Sequence, residues 1–166
     1  MLLSFNDNDE YSLFYYQENI LDDKLLNRLK IWLDEKKFKH GKCISGKKIP
    51  RKQLWYQDEK KYFCESWKYR YDRWKSEEND ELLDEVKSII NYKVKQILLK
   101  NKNIDCNKLN YNSCLINKYE NGQDSIKPHR DTAESFGNYP IIAGLSIGCS
   151  RIFRIKKIIY DVNNIN

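Results

Sequence analysis

"YNSCLINKYENGQDSIKPHRD", Tyr111 to Asp131, is the stretch on which the fold turns. Its first nine residues alternate. Tyr111, Ser113, Leu115, Asn117 and Tyr119 fall on one face of an extended chain, and Asn112, Cys114, Ile116 and Lys118 on the other, because successive side chains of a strand point to opposite sides. Asn121-Gly122 then marks a tight turn, since both residue types accept the backbone that such turns need. A second strand is expected to lead from the turn to His129 and Asp131. Residues two apart on an extended chain point the same way, so an imidazole and a carboxylate would converge there.

That pair suits a metal ion. Iron(II) that must also bind a cosubstrate and dioxygen needs open coordination positions, and proteins provide them with two histidines and one carboxylate on one face of the ion. His-x-Asp alone arises often by chance. The competing reading has His129 capping a turn and Asp131 in solvent. The preceding strand adds weight to the metal. In a barrel lumen the Asn117 amide and the Tyr119 phenol would need a polar partner. A bound dicarboxylate would satisfy both, and so would a water-filled cavity.

Outward from this stretch, "PIIAGLSIGCS" and "RIFRIKKII" read as two more strands, the first interrupted by glycines. Upstream, Asp22 can cap a helix carrying Leu25, Leu26, Leu29, Trp32 and Leu33 at helical spacing. Asn79 can cap a second, whose stripe is Leu82, Leu83, Val86, Ile90, Val94, Ile97 and Leu98. Helices first and strands later give an α+β class with a sandwich or barrel towards the C-terminus. The 166 residues suit a single domain, 1–166. Apolar residues make up 40% and charged ones 33%, interspersed, which excludes wholesale disorder. No apolar run reaches the length of a membrane span, and the start shows no secretory signal. Five cysteines without a C-x-x-C read as reduced thiols, and hence as an intracellular protein of nucleus or cytoplasm. The net charge is +6, much of it in "KKFKHGKCISGKKIPRK", Lys36 to Lys52. This suggests a nucleic acid partner, or else a lysine-rich surface.

Two distant motifs carry a family resemblance. "LINKYENGQDSIKPHRD" followed by "PIIAGLSIGCSRIFRIKK" resembles the AlkB family of iron(II)- and 2-oxoglutarate-dependent dioxygenases, in particular the branch that repairs alkylated DNA and RNA. The shared pattern is Asn117 and Tyr119, Gly122, His129 and Asp131, Pro140 and Ile141, Ser146 and Gly148, then Arg151 and Phe153. Upstream, "PRKQLWYQD", Pro50 to Asp58, is similar to the family signature near the nucleotide-recognition lid.

The resemblance implies a double-stranded β-helix, or jelly roll, with supporting N-terminal helices. It implies Fe(II) on His129 and Asp131, 2-oxoglutarate on Asn117 and Tyr119, and dioxygen as oxidant. The reaction would be oxidative demethylation of N-alkylated bases in DNA or RNA. Arg51 and Lys52 would contact phosphate or help place the lid, and Tyr56, Tyr62 and Phe63 would stack on the base unless they pack in the core. The family's third iron ligand and its 2-oxoglutarate arginine follow the Arg-x-Phe strand. This sequence has two histidines, His40 and His129, and reaches Asn166 soon after Phe153. The last strands, roughly 40–60 residues at usual lengths, are therefore expected to be missing and activity to be impaired. The alternative is a catalytically inactive nucleic-acid-binding protein on the same scaffold. An open barrel edge would also invite self-association or a complementing fragment.

Overall fold

A computed structural model describes residues 2–7, 10–42, 46–58, 76–78, 80–100, 109–131, 136 and 140–156. Strands β1 (Leu2–Asp7) and β2 (Glu10–Tyr15) form an antiparallel hairpin. Helix α1 (Asp23–Glu35) begins where the Asp22 carboxylate accepts the Leu25 amide at 2.7 Å, satisfying one of the amides that every helix start leaves unpaired. Strands β3 (Lys39–Lys42), β4 (Lys48–Gln57) and β5 (Glu77–Glu78) follow, then helix α2 (Glu81–Leu98) and strand β6 (Ser113–Lys118). Asp80, not Asn79, caps α2, its carboxylate accepting the Leu83 amide at 3.0 Å.

Strand β4 is the spine of the sheet. β6 runs antiparallel along one edge, from Lys52↔Lys118 to Gln57↔Ser113. On the other edge lie β3, antiparallel, and further along it β5, parallel at Tyr56 and Gln57. The β3–β4 register shifts between His40 and Lys42, so that three residues of β4 stand against Gly41. Pro50 sits in this bulge, where a missing amide hydrogen breaks no regular ladder.

The sheet has two dissimilar faces. Leu54, Tyr56 and Ile116 share one, which packs with Leu83, Trp32 and Phe38 under the helices. The helices meet through Leu21, Leu25, Leu29 and Val86, and Leu145 and Ile147 lie against that cluster. Trp32 touches both clusters, and its indole donates to Asp80 Oδ2 at 2.5 Å. Arg51, Gln53, Trp55 and Gln57 alternate onto the opposite face, with Ser113, Leu115 and Asn117 across from them.

Two expectations need correction. Strands precede and separate the helices as well as following them. Residues 140–156 and 125–131 join no ladder among the described residues. A two-residue period assigns side chains to faces but supplies no hydrogen-bond partner, and Pro128 lacks an amide hydrogen altogether. Ile152 and Phe153 are left 82% and 83% exposed, while Leu145 and Ile147 in the same stretch are packed.

Asp80→Ala removes both the cap of α2 and the acceptor for Trp32. It is expected to cost about 2 kcal/mol in urea denaturation, with Asp80→Asn losing less because the amide oxygen can still cap.

Candidate metal and cosubstrate site

The polar face of the sheet is organised around one side chain. Asn117, on β6, lies directly across from Gln53. Its Oδ1 accepts from Arg51 Nε at 2.7 Å and from Gln53 Nε2 at 2.9 Å. Gln53 is buried, at 4% exposure. Room for its amide comes from Gly41, where an added Cβ would stand 3.3 Å from Gln53 Oε1 and 2.9 Å from Ile49 Cδ1.

The turn after β6 is closed by its own polar side chains. Asn121 Oδ1 accepts the Gln123 amide at 2.8 Å, and Asp124 Oδ2 accepts the Glu120 amide at 2.7 Å, the local bonding that suits Asn and Asp to turns. Arg151 reaches over from the 140–156 stretch. Its guanidinium donates to the carbonyls of Asn121 and Asp124 and lies 4.7 Å from the Tyr119 ring centre, a cation–π distance. Beyond the turn, the Ser125 amide donates to the Pro50 carbonyl at 2.7 Å, and Arg51 also donates to the Ser125 carbonyl at 3.4 Å. The chain that carries His129 is therefore fastened to β4 four residues before that histidine.

His129 and Asp131 face one another, with Nε2 3.7 Å from Oδ1. The other ring nitrogen, Nδ1, lies 2.9 Å from the Lys127 carbonyl. A carbonyl can only accept, so Nδ1 carries the hydrogen in that contact. In the neutral ring the lone pair then sits on Nε2, the tautomer a metal ligand needs. The turn-capping role and the ligand role thus fall on different nitrogens of one ring.

The other predicted residues divide. Arg51 donates to the Asn117 side chain and to the Ser125 carbonyl. Lys52 lies on the opposite face from Arg51 and pairs with Glu120 at 2.8 Å. That contact holds the Glu120 carboxyl below its ordinary range. Tyr56 is buried under the helices, its ring 5.5 Å from that of Trp32, and burial raises its hydroxyl above the usual tyrosine range. Core packing, not base stacking, is what its position serves. Tyr62 and Phe63 lie outside the described residues. His40 bonds the Ile49 carbonyl from β3 and does not join His129. Among the described residues no three His, Cys, Asp or Glu side chains cluster as a metal site, so His129 and Asp131 stand as a pair. Reading the sequence did not single out Gln53 or the clamp made by Arg151. Gln53 could have been found by placing β4 against β6, since it sits at the same face position as Asn117.

The chain belongs to the 2OG-Fe(II) oxygenase superfamily, whose family model matches residues 13–161. That family implies a jelly roll and uses Fe(II), 2-oxoglutarate and dioxygen. The small, mainly antiparallel sheet with two helices is consistent with such a fold. Within it the likeness is to AlkB homologues. The chain is 41% identical over 61 residues to the alpha-ketoglutarate-dependent dioxygenase alkB homolog 3 of Bos taurus, covering 37% of this chain and 21% of that protein. It is 47% identical over 47 residues to the Homo sapiens protein of the same name, covering 28% and 16%. It is 40% identical over 47 residues to the DNA oxidative demethylase ALKBH2 of Arabidopsis thaliana, covering 28% and 15%. The match therefore spans about a fifth or less of the length of these relatives. No solved structure matches the chain.

Lys52→Ala is expected to move the Glu120 carboxyl up towards its ordinary range in an NMR pH titration. A depressed carboxyl contributes above its unfolded value and loses that contribution as pH falls through the folded one. The tie between β4 and the start of the turn should accordingly loosen on acidification in the wild type and show no such response in the variant.

Proposed function

We propose that the chain carries the iron- and cosubstrate-binding half of a site for oxidative demethylation of N-alkylated bases in DNA or RNA. One observation supports this above the others: the 3.7 Å approach of His129 Nε2 and Asp131 Oδ1, with Nδ1 already bonded to a carbonyl. Two donors about 2.1 Å from one ion and at right angles to each other stand about 3.0 Å apart, so closing the gap by about 0.7 Å would let both bind. The donor set, a neutral imidazole and a hard anionic oxygen, fits iron(II). When bound, iron(II) with 2-oxoglutarate would supply the activation of dioxygen that oxidises an N-methyl group. His129 and Asp131 would hold the ion. Asn117 and Tyr119 would donate to the carboxylate oxygens of 2-oxoglutarate. The carbonyl of Lys127 would keep the imidazole in its binding tautomer.

A polyanionic substrate is supported by the β3–β4 hairpin. Lys42 lies directly across from Lys48, and both are exposed, with Lys47 beside them. Like charges opposed across a ladder are unfavourable unless an anion lies over them. Phosphates would do so, and a base whose pairing edge is methylated is the easier to draw out of its stack.

The test is formaldehyde release from a methylated oligonucleotide in the presence of Fe(II) and 2-oxoglutarate. Weak release that disappears in His129→Ala and in Asp131→Ala is expected. Binding of the oligonucleotide with no iron-dependent formaldehyde would instead favour an inactive nucleic-acid-binding protein. Lys42→Ala with Lys48→Ala should weaken single-strand binding and lower the slope of log affinity against log salt by about 0.7 for each phosphate no longer neutralised.

A further inference from the structure

We propose that Arg51 and Gln53 are positioning residues that lock the Asn117 amide with its NH2 group turned towards the cosubstrate. This rests on the assignment of Asn117 to 2-oxoglutarate and says how that contact is made. An amide side chain can present either its oxygen or its nitrogen to a ligand, and the two ends are nearly equal in shape. The neighbours decide which end faces outward. A guanidinium nitrogen is always a donor, so the Asn117 atom 2.7 Å from Arg51 Nε must be the oxygen. Gln53 approaches the same oxygen at 2.9 Å and must therefore present its own NH2. Two donors converge on one acceptor, and the acceptor end of Asn117 is occupied. Its Nδ2 is left to point elsewhere as a pure donor, which matches the acceptor oxygens of a carboxylate and mismatches a ligand group that is itself a donor.

The arrangement also explains three features of the sequence. Arg51 suits this position better than a lysine would, because the planar guanidinium can give Nε to Asn117 while Nη1 reaches the Ser125 carbonyl. One side chain thereby couples the Asn117 amide to the segment that leads to His129. Gln53 is a buried polar residue whose burial is compensated by Asn117. Gly41 stands against Gln53 Oε1 with space for little more than hydrogen, so a side chain there would push on the second donor of the lock.

Gln53→Met keeps the length of the side chain and removes the donor. Calorimetric titration of 2-oxoglutarate into the manganese-loaded chain is expected to show binding weakened about five-fold in this variant, the worth of one ordinary hydrogen bond. Asn117→Asp keeps an oxygen for Arg51 and Gln53 but turns a second oxygen towards the ligand. It should weaken binding more than Gln53→Met does. Equal affinity in wild type and both variants would overturn the proposal. A purely structural role would lower the thermal midpoint of Gln53→Met without changing affinity relative to the folded fraction, and that outcome would overturn it too. The lock has a ligand-free signature as well. The Arg51 Nε–H should exchange with water at least about ten-fold more slowly than exposed guanidinium groups, and Asn117→Leu should abolish the difference. Fast exchange in the wild type would refute the lock itself. Slow exchange together with no 2-oxoglutarate binding would leave the lock standing and remove the cosubstrate assignment on which its purpose depends.

Discussion

The register between β4 and β6 is the constraint on which the rest depends. Gln53 opposite Asn117 and Leu54 opposite Ile116 assign every side chain of the two strands to a face. A slip of β6 by one residue would exchange its faces, carrying Asn117 away from Arg51 and Gln53 onto the helix-covered side and Ile116 onto the polar one. The cost of such a slip is borne by the apolar face, where Leu54 and Tyr56 are each 6% exposed. Packing of α1 and α2 onto one side of β4 therefore determines the geometry of the polar side.

From that register the site is assembled by short-range bonds rather than by further sheet. The Asn121 turn closes on its own side chains, Arg151 clamps its carbonyls, and Ser125 fastens the outgoing chain to Pro50. Each bond is of ordinary strength, about 1 kcal/mol net. Together they restrict where His129 can be without a strand to hold it. The histidine pair is correspondingly open, with His129 51% and Asp131 34% exposed at the side chain. An open pair held by loop bonds is suited to accepting an ion and a cosubstrate from solvent.

Much of this was legible in the sequence, and the limits have physical causes. The alternation from Tyr111 to Tyr119, the Asn-Gly turn and the Asp22 cap are local signals, and local chemistry answers them. The central strand was harder to see. "KIPRKQLWYQ" holds a proline and three basic residues among its first five because its first half forms a bulged hairpin, while its second half is buried on both faces and so shows no clean alternation. The roles of Arg51 and Lys52 depend on that placement. They are neighbours in sequence but lie on opposite faces of β4, one holding Asn117 and the other Glu120. Tyr56 likewise could not be told from a base-stacking residue until the helix-covered face was known. The extended run from Pro140 to Lys156 has the pattern of strands, yet pattern alone does not name a ladder partner.

The central claim is that His129 and Asp131 grip one cation through the imidazole nitrogen Nε2. Pulsed electron paramagnetic resonance of the manganese-loaded chain tests it most directly, because nitrogen coordinated to the ion modulates the echo. Imidazole modulation that vanishes in His129→Ala, with weaker metal uptake in Asp131→Ala, is the predicted result. Manganese bound with no nitrogen signal, or with a signal that survives loss of His129, would contradict it.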